Sequence, residues 1–173
     1  MIFIIIIIFF IYYINNNKEY FNNNNIYKEI FLEYINLFNS DQEYDNKYNI
    51  NIISSSNKKY FELSLENIGF SKLLQNQNTN FRLKKLKEKN TFNIITDNNL
   101  LLNYDSKNNI ISSKILNLDN SNIFIIDNIE NKFFELDYNK FRFIGTLRHN
   151  NMFLGENGFT SNIEKLYFDI TII

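Results

Sequence analysis

Side chains that could catalyse a reaction are scarce in this sequence. Cysteine is absent, which excludes disulfides, thiolate metal sites and cysteine nucleophiles, and His149 is the single histidine. A Ser-His-Asp triad would have to use that imidazole, but no Gly-x-Ser-x-Gly sequence accompanies it. We therefore interpret His149 and Asn150 as an ordinary pair in a surface loop and predict that the protein is not an enzyme.

The one cluster of basic residues could bind phosphate groups without sequence preference. It comprises Arg82, Lys84, Lys85, Lys87 and Lys89. Glu88 interrupts the cluster, and the chain as a whole carries a formal net charge of -1, whereas a nucleic-acid-binding protein normally presents a basic face. We predict no nucleic-acid partner and interpret the cluster as a solvated edge strand, whose lysines block pairing with other sheets.

The elements that carry these side chains are built from an unusual composition. The 173 residues include no Ala, Val, Pro, Cys or Trp, only 4 Gly, and 34 Asn, a bias toward residues with AT-rich codons. Because turn-forming proline and glycine are rare, we expect Asn to occupy the left-handed turn positions. Hydrophobic residues make up 45% and aromatic residues 17%, enough for the core of one domain built from Ile, Leu, Phe and Tyr.

The N-terminal segment 1–14 is an unbroken apolar run. It is short for a membrane-spanning helix, which needs about 17–25 residues, but it fits the apolar core of a signal peptide. We predict a secretory signal or an uncleaved anchor, so that the protein is secreted or contacts the membrane through this segment. A buried strand and an organellar segment stay as alternatives, and the absence of any Asn-x-Ser/Thr acceptor weighs against a glycosylating compartment.

The remaining chain divides into an Asn-rich spacer at 15–25 and one mainly β domain at 26–173. Apolar residues recur every three to four positions from Ile26 to Phe38, which predicts an amphipathic helix. Residues 39–59 are polar and are interpreted as a loop. Alternation of apolar and polar residues then predicts half-buried strands joined by short Asn-, Asp- and Ser-rich links, as in an antiparallel sandwich. No repeat of fixed period is evident.

The C-terminal stretch resembles the closing strands of concanavalin A-like jelly rolls, the laminin G and lectin/glucanase group. A strand and turn at Ile123–Asn128 precede a short strand at Phe133–Leu136, and a strand at Phe141–Gly145 ends in Ile-Gly. The segment Gly158–Phe168 then matches the closing pattern Gly-Phe-x-Gly-x-Ile-[Asp/Glu]-x-[aliphatic]-x-[aromatic], except that Ser161 replaces a Gly. The fold class expected from this resemblance is a jelly-roll-like antiparallel β-sandwich preceded by the helix.

The resemblance implies adhesion or carbohydrate binding, with calcium as a candidate ligand of loop oxygens. The loop residues that could supply those oxygens are Asp97, Asn98, Asp105, Asp119 and Asp127. Glycosidases with this fold use paired carboxylates. Glu135 and Asp137 have the acid-x-acid spacing, but Asn139 or Lys140 stands where the second catalytic Glu would follow, so the resemblance does not support hydrolysis.

The leading hypothesis is a non-enzymatic, secreted or membrane-anchored binding or adhesion module that recognises a glycan or a protein partner. Its predicted ligand contacts combine aromatic rings, an amide and a cation, namely Phe153, Phe159, Asn157 and Arg148. The alternative is a structural subunit of a membrane or organelle complex, anchored by segment 1–14 and using the helix at 26–38 for interaction. A third hypothesis is that the chain is a fragment of a larger gene product.

Overall fold

The structure is a computed structural model that describes residues 26–33, 35–36, 40–41, 43–45, 48–64, 68–72, 75, 77–105, 110–114 and 120–173. The predicted signal or anchor segment 1–14, the spacer 15–25 and the last residues of the predicted helix lie outside these ranges. No helix within the described part of the chain is long and apolar enough to cross a membrane.

The described chain is mainly β, as predicted. A helix, α1, covers residues 26–33 and is also described at 35–36, inside the predicted range 26–38. A short 3-10 turn lies at Asn120–Asn122. The strands are β1 Tyr44–Asp45, β2 Asn49–Ser54, β3 Tyr60–Leu63, β4 Ile68–Lys72, β5 Phe81–Lys85, β6 Thr91–Thr96, β7 Leu101–Asp105, β8 Ile110–Lys114, β9 Phe124–Asp137, β10 Lys140–His149, β11 Met152–Gly155, β12 Gly158–Thr160 and β13 Leu166–Thr171.

Six of the strands close into a barrel, so the predicted sandwich is wrong. They pair in the cyclic order β5, β2, β13, β10, β9 and β6, and the pairing of β6 with β5 completes the ring. All these pairings are antiparallel. An alternating apolar pattern predicts which face of a strand is buried, but it is the same in a sandwich and in a barrel. In this fold, the pairing of β5 with β6 is what distinguishes a closed barrel from a sandwich.

Some strands depart from the sequence-based prediction. β2 lies within residues 39–59, which were predicted to be a loop, and β11 and β12 form a hairpin where a loop was expected. β5 carries most of the basic cluster, yet it pairs with β2 and β6 and is therefore not an edge strand of the barrel. In β2, polar residues hide the strand signal, and one of them, Asn51, is fully buried.

The strands form three successive four-stranded units around the barrel. We define repeat 1 as β2–β5, repeat 2 as β6–β9 and repeat 3 as β10–β13. In each unit the first and last strands belong to the barrel and pair with each other, while the middle two form a hairpin: β3–β4, β7–β8 and β11–β12. The fold therefore contains a threefold repeat that the sequence analysis did not find.

Burial and hydrogen bonding follow the same threefold arrangement. The first and last strands of the repeats meet at Ile50 and Phe81, at Phe92 and Phe124, and at Gly145 and Leu166. One residue after Ile50, the buried Asn51 donates from Nδ2 to the backbone oxygen of Thr79 (2.9 Å). At the equivalent place in repeat 2, Asn93 donates from Nδ2 to the backbone oxygen of Asn122 (3.0 Å). The two Asn residues begin the sequences Asn-Ile-Ile-Ser and Asn-Ile-Ile-Thr, the trace of the repeat in the sequence.

Large aromatic rings fill the barrel interior, and the backbones of β9 and β10 approach each other closely at Gly145. Phe143 and Phe168 stack with ring centroids 4.7 Å apart. Gly145 lies beside them, and a Cβ at this position would come within 2.4 Å of the backbone oxygen of Asp127. Without a side chain here, β9 can pack against β10, which positions Asp127 on the outer side of the barrel near the third hairpin.

Helix α1 packs its apolar side on the β9–β10 hairpin. The ring of Phe31 stacks on Phe141 with centroids 3.9 Å apart and meets Phe133 edge to face at 5.2 Å. Tyr27 contacts Tyr138 at 5.5 Å. Because Phe31 belongs to the buried core, the apolar stripe of α1 is used within the fold. Within the part of the predicted interaction helix 26–38 that the structure describes, Ile26 and Leu32 are the strongly exposed apolar residues.

Asn residues occupy the left-handed turns, as predicted. Among the described residues, the non-glycine residues with positive φ are Lys58, Asn90, Asn99 and Asn150. Three of the four fall in the turn between the first two strands of a repeat: Lys58 in repeat 1, Asn99 in repeat 2 and Asn150 in repeat 3. Repeat 1 is the exception because it places a lysine where the other two repeats place an asparagine.

Candidate functional site

The last strand of each repeat meets the first turn of the next repeat at the barrel surface, and each meeting place contains a cation. The Lys58 junction consists of Lys58, Arg142, Tyr167 and Asp169. The Arg82 junction consists of Arg82 and Asn99, joined by a hydrogen bond of 2.7 Å from Nη2 to Oδ1. The Arg148 junction consists of Asp127, Arg148, Asn150 and Phe153. The third of these junctions contains two of the predicted ligand residues and one of the predicted metal ligands.

An ion pair organises the Arg148 junction. Arg148 donates from Nε to Oδ2 of Asp127 at 3.1 Å and from Nη1 to the backbone oxygen of Asn150 at 3.1 Å. The Arg148 and Asp127 side chains are 31% and 37% exposed, so both remain accessible to a ligand. The guanidinium and the carboxylate are thus held by neighbouring barrel strands and present donors and acceptors side by side.

An aromatic ring continues this polar pair along the surface. Phe153 lies opposite Arg148 in the β10–β11 pair and opposite Thr160 in the β11–β12 pair. Residues directly opposite each other in antiparallel strands share a face of the sheet. Phe153 is half-buried, so Arg148, Phe153 and Thr160 form a row with a charged end, an apolar centre and a hydroxyl end.

An unsatisfied buried acceptor lies next to this row. Asn90 donates from Nδ2 toward Oδ1 of Asp127 at 3.5 Å, the outer limit of a hydrogen bond. Its own Oδ1 is buried and has no donor among the described residues. A buried acceptor without a partner is energetically unfavourable, and a donor supplied by a ligand or by water would relieve it. The sequence analysis missed Asn90 because it is one of 34 Asn residues with no distinguishing pattern.

Asn157 is exposed at the tip of the β11–β12 hairpin, and the preceding residue anchors this tip. Glu156 accepts hydrogen bonds on Oε1 from Ser54 (3.2 Å) and, at close range, from Ser56. Its backbone N donates to Oε2 of Glu164 at 3.2 Å. The hydrogen bond from Ser56 lowers the pKa of Glu156, with smaller effects from Ser54 and Lys59. The tip that carries Asn157 is therefore tied to the first turn of repeat 1.

Phe159 and His149 belong to the interior of the third hairpin. Phe159 is fully buried and contacts Tyr104 and Phe124 at centroid distances of 5.1 and 5.9 Å. The expectation that His149 lies in a surface loop is wrong, because it ends β10 and is buried. Its Nδ1 is 2.9 Å from the backbone oxygen of Ile123. We leave Phe159 out of the candidate site because a ligand at the surface does not reach its ring.

The predicted calcium ligands are spread over separate elements. Asp97 and Asn98 are exposed in the β6–β7 turn, Asp105 ends β7, and Asp127 is on β9 in the ion pair with Arg148. Asp119 lies outside the described ranges. Within those ranges, no group of three or more His, Cys, Asp or Glu side chains could hold a metal ion. Because calcium needs six to eight oxygens, its binding stays a sequence-based prediction without a gathered site.

No family model matches the chain, and no curated protein sequence matches it. A designed threefold-symmetric protein, ThreeFoil, is similar over 73% of this chain and 99% of its own, with 7% identity and a TM-score of 0.50. The BEL beta-trefoil in an apo crystal form is similar over 77% of this chain and 99% of its own, with 14% identity and a TM-score of 0.49.

The proposed resemblance to concanavalin A-like jelly rolls is therefore wrong. The C-terminal pattern that suggested it, with an Ile-Gly strand end and a Gly-Phe turn, belongs here to repeat 3 of a barrel. The Gly in Ile-Gly is Gly145, which allows the approach of β9. The Gly-Phe turn starts β12 of the third hairpin. The closed barrel, its three hairpins and the likeness to the threefold-symmetric ThreeFoil point to a β-trefoil fold.

Proposed function

We propose that this chain is a non-enzymatic binding module that recognises a glycan at the Arg148 junction. The observation that carries the proposal is the half-exposed Arg148–Asp127 pair with Phe153 opposite Arg148 on the adjacent strand. Asn157, at the tip of the β11–β12 hairpin, adds an exposed amide that can form hydrogen bonds with the glycan. The absence of catalysis is part of the proposal and is supported by the burial of the single histidine and by the ion pairing of Asp127.

The chemistry of a sugar fits this combination of side chains. Sugar hydroxyls both donate and accept hydrogen bonds, so they suit a carboxylate acceptor next to a guanidinium donor. The apolar C–H face of a sugar ring packs on an aromatic side chain, for which Phe153 is available. Barrel strands hold most of these groups, so little ordering is needed on binding.

A glycan array probed with the full chain tests this proposal. We expect a reproducible signal for a limited set of neutral sugars, which Arg148→Ala and Phe153→Ala abolish. Arg82→Ala is the matched control, because Arg82 is also a half-exposed arginine bonded to a first-turn asparagine. A folded wild-type chain that binds no glycan, or equal losses in all three variants, would contradict the proposal.

A protein partner is the second candidate, and an apolar strip on β9 favours it. Phe134 and Leu136 lie near the end of β9, and Tyr138 follows in the turn; their exposed fractions are 42%, 45% and 39%. Exposed apolar residues in one strip often mark a protein interface. If a partner binds there, Phe134→Ser with Leu136→Ser removes co-purification and leaves glycan binding intact. Loss of both activities would mean that the strip is needed for folding.

The cellular location of the protein is a separate part of the proposal. We propose that the apolar segment 1–14 directs the chain to a secretory membrane as a signal or an anchor, in line with its length and composition. Fusion of residues 1–25 to a cytosolic reporter tests this. Translocated or membrane-bound reporter supports the proposal, and a reporter that stays in the cytosol contradicts it.

A further inference from the structure

The Lys58 junction has a geometry that the other two junctions do not share. Nζ of Lys58 lies 4.3 Å from the ring centroid of Tyr167 and 3.1 Å from its hydroxyl oxygen. Cζ of Arg142 lies 4.7 Å from the same centroid. Tyr167 is half-buried. One accessible aromatic ring thus brings together two cations from different repeats, whose charges repel each other.

The backbone of Lys58 adopts a conformation that is uncommon for lysine. Lys58 has φ of 61°, the left-handed region that favours glycine and asparagine. The equivalent turns of repeats 2 and 3 use Asn99 and Asn150, with φ of 60° and 52°. A residue held in an unfavourable backbone region suggests a functional constraint. Here the unfavourable residue is the one whose ammonium reaches Tyr167.

Arg142, the second cation at Tyr167, is held in place by the buried carboxylate of Asp169. Asp169 is almost fully buried and accepts two hydrogen bonds from Arg142, at 2.5 Å from Nε and 2.9 Å from Nη2. Lys140 is also 3.8 Å from Asp169. Arg142 and Lys140 therefore share the Asp169 carboxylate, and Lys58 adds a third cation at the neighbouring Tyr167, so these residues carry an excess of positive charge. The chain as a whole carries a formal net charge of -1.

We propose that the Lys58 junction is a binding site for a sulfate or phosphate group, separate from the glycan site at the Arg148 junction. Lys58 and the Nη1 side of Arg142 supply the charge and the donors, and Tyr167 supplies the apolar floor beneath the ligand. A sulfate or phosphate bridging the two cations would relieve their repulsion. Such groups occur both as esters on sugars and as free ions, and this chemistry is common to both.

Calorimetry with the full chain tests the proposal, using a heparin hexasaccharide, its desulfated counterpart and inorganic phosphate. We expect the sulfated sugar or phosphate to bind, with an affinity that falls as salt is added. Lys58→Asn should lower that affinity roughly tenfold, the loss expected for one charge-assisted hydrogen bond. Tight binding of the sulfated sugar alone identifies an ester as the ligand, and equal binding of phosphate identifies a free anion.

Matched variants separate this site from general charge and from the glycan site. Lys89→Asn makes the same charge change in the exposed β5–β6 turn and should weaken binding less than about twofold. Lys58→Arg retains the charge and should bind, while Arg148→Ala should leave the binding of inorganic phosphate unchanged. Lys58→Asn installs the residue of the other two turns and should fold. Absence of anion binding by the wild type, or equal losses in Lys58→Asn and Lys89→Asn, would overturn the proposal.

Discussion

The Arg148 and Lys58 junctions occupy equivalent places in the threefold fold but differ in charge balance. At the Arg148 junction one arginine faces one half-exposed carboxylate, Asp127. At the Lys58 junction the equivalent carboxylate, Asp169, is buried, and Arg142 and Lys140 surround it while Lys58 stands above Tyr167. The same backbone arrangement therefore presents a neutral polar pair in one place and an excess of cations in the other. Repetition of a fold does not imply repetition of a binding site.

The largest expected difference between the junctions is in stability. Asp169→Ala should lower the free energy of unfolding by about 3 kcal/mol, because it removes both hydrogen bonds to Arg142 at a buried position. Asp127→Ala should cost less than about 1 kcal/mol, since its ion pair is half-exposed. Urea denaturation of the two variants measures both values. Equal losses would mean that the two carboxylates do not differ in the way their burial indicates.

The next largest expected effect on stability comes from the close approach of Gly145 to the backbone oxygen of Asp127, at the Arg148 junction. Gly145→Ala should destabilise the fold by about 2 kcal/mol, because the new Cβ would lie within 2.4 Å of the backbone oxygen of Asp127. We also expect weaker glycan binding and unchanged anion binding. Gly155→Ala is the control, since there the three atoms nearest to the new Cβ all belong to the Glu164 side chain, which can move. Thermal unfolding with both variants shows whether the backbone contact decides the outcome.

The turn of repeat 1 should become more stable when its function is removed. Lys58→Asn replaces a residue that tolerates the left-handed backbone poorly with one that tolerates it well, so we expect a gain of about 0.5 kcal/mol. The lost contact with Tyr167 offsets part of this gain. A melting temperature equal to or above that of the wild type, together with lost anion binding, supports a trade of stability for function. A clear drop in melting temperature would show that Lys58 mainly supports the fold.

The smallest expected effect on stability concerns the hydrogen bonds between the hairpin tip of repeat 3 and the first turn of repeat 1. Glu156 ties the hairpin tip of repeat 3 to Ser54 and Ser56 of repeat 1, and these hydrogen bonds lower its pKa from the ordinary value of 4.5. A lowered pKa in the folded state contributes stability that is present above pH 4.5 and is lost as pH falls through the folded value. Glu156→Gln should therefore melt slightly below the wild type at pH 7. The difference should shrink as the pH falls below 4.5, and a difference that does not change with pH would contradict this link.

Parts of the fold could be predicted because they depend on neighbouring residues. The period of two along β10 and β13 predicted strands with buried Phe and Ile, and the three-to-four spacing from Ile26 predicted α1. Of the predicted ligand contacts, the structure places Arg148 and Phe153 at one junction and Asn157 at the neighbouring hairpin tip, and their role in binding stays a prediction. Lys58 and Tyr167 were missed because they are 109 residues apart and neither stands out locally. Phe159, which was predicted to contact a ligand, is fully buried.

By itself, the sequence determined that this protein is mainly β, that Asn occupies its left-handed turns, and that cysteine chemistry is excluded, because these properties follow from local pattern and composition. Tertiary structure decided that the sheet closes into a barrel, that β2 is a strand despite its polar residues, and that His149 is buried. It also decided which charges meet. Strand pairing and burial depend on residues far apart in the chain, and an alternating pattern is satisfied equally by a sandwich and a barrel.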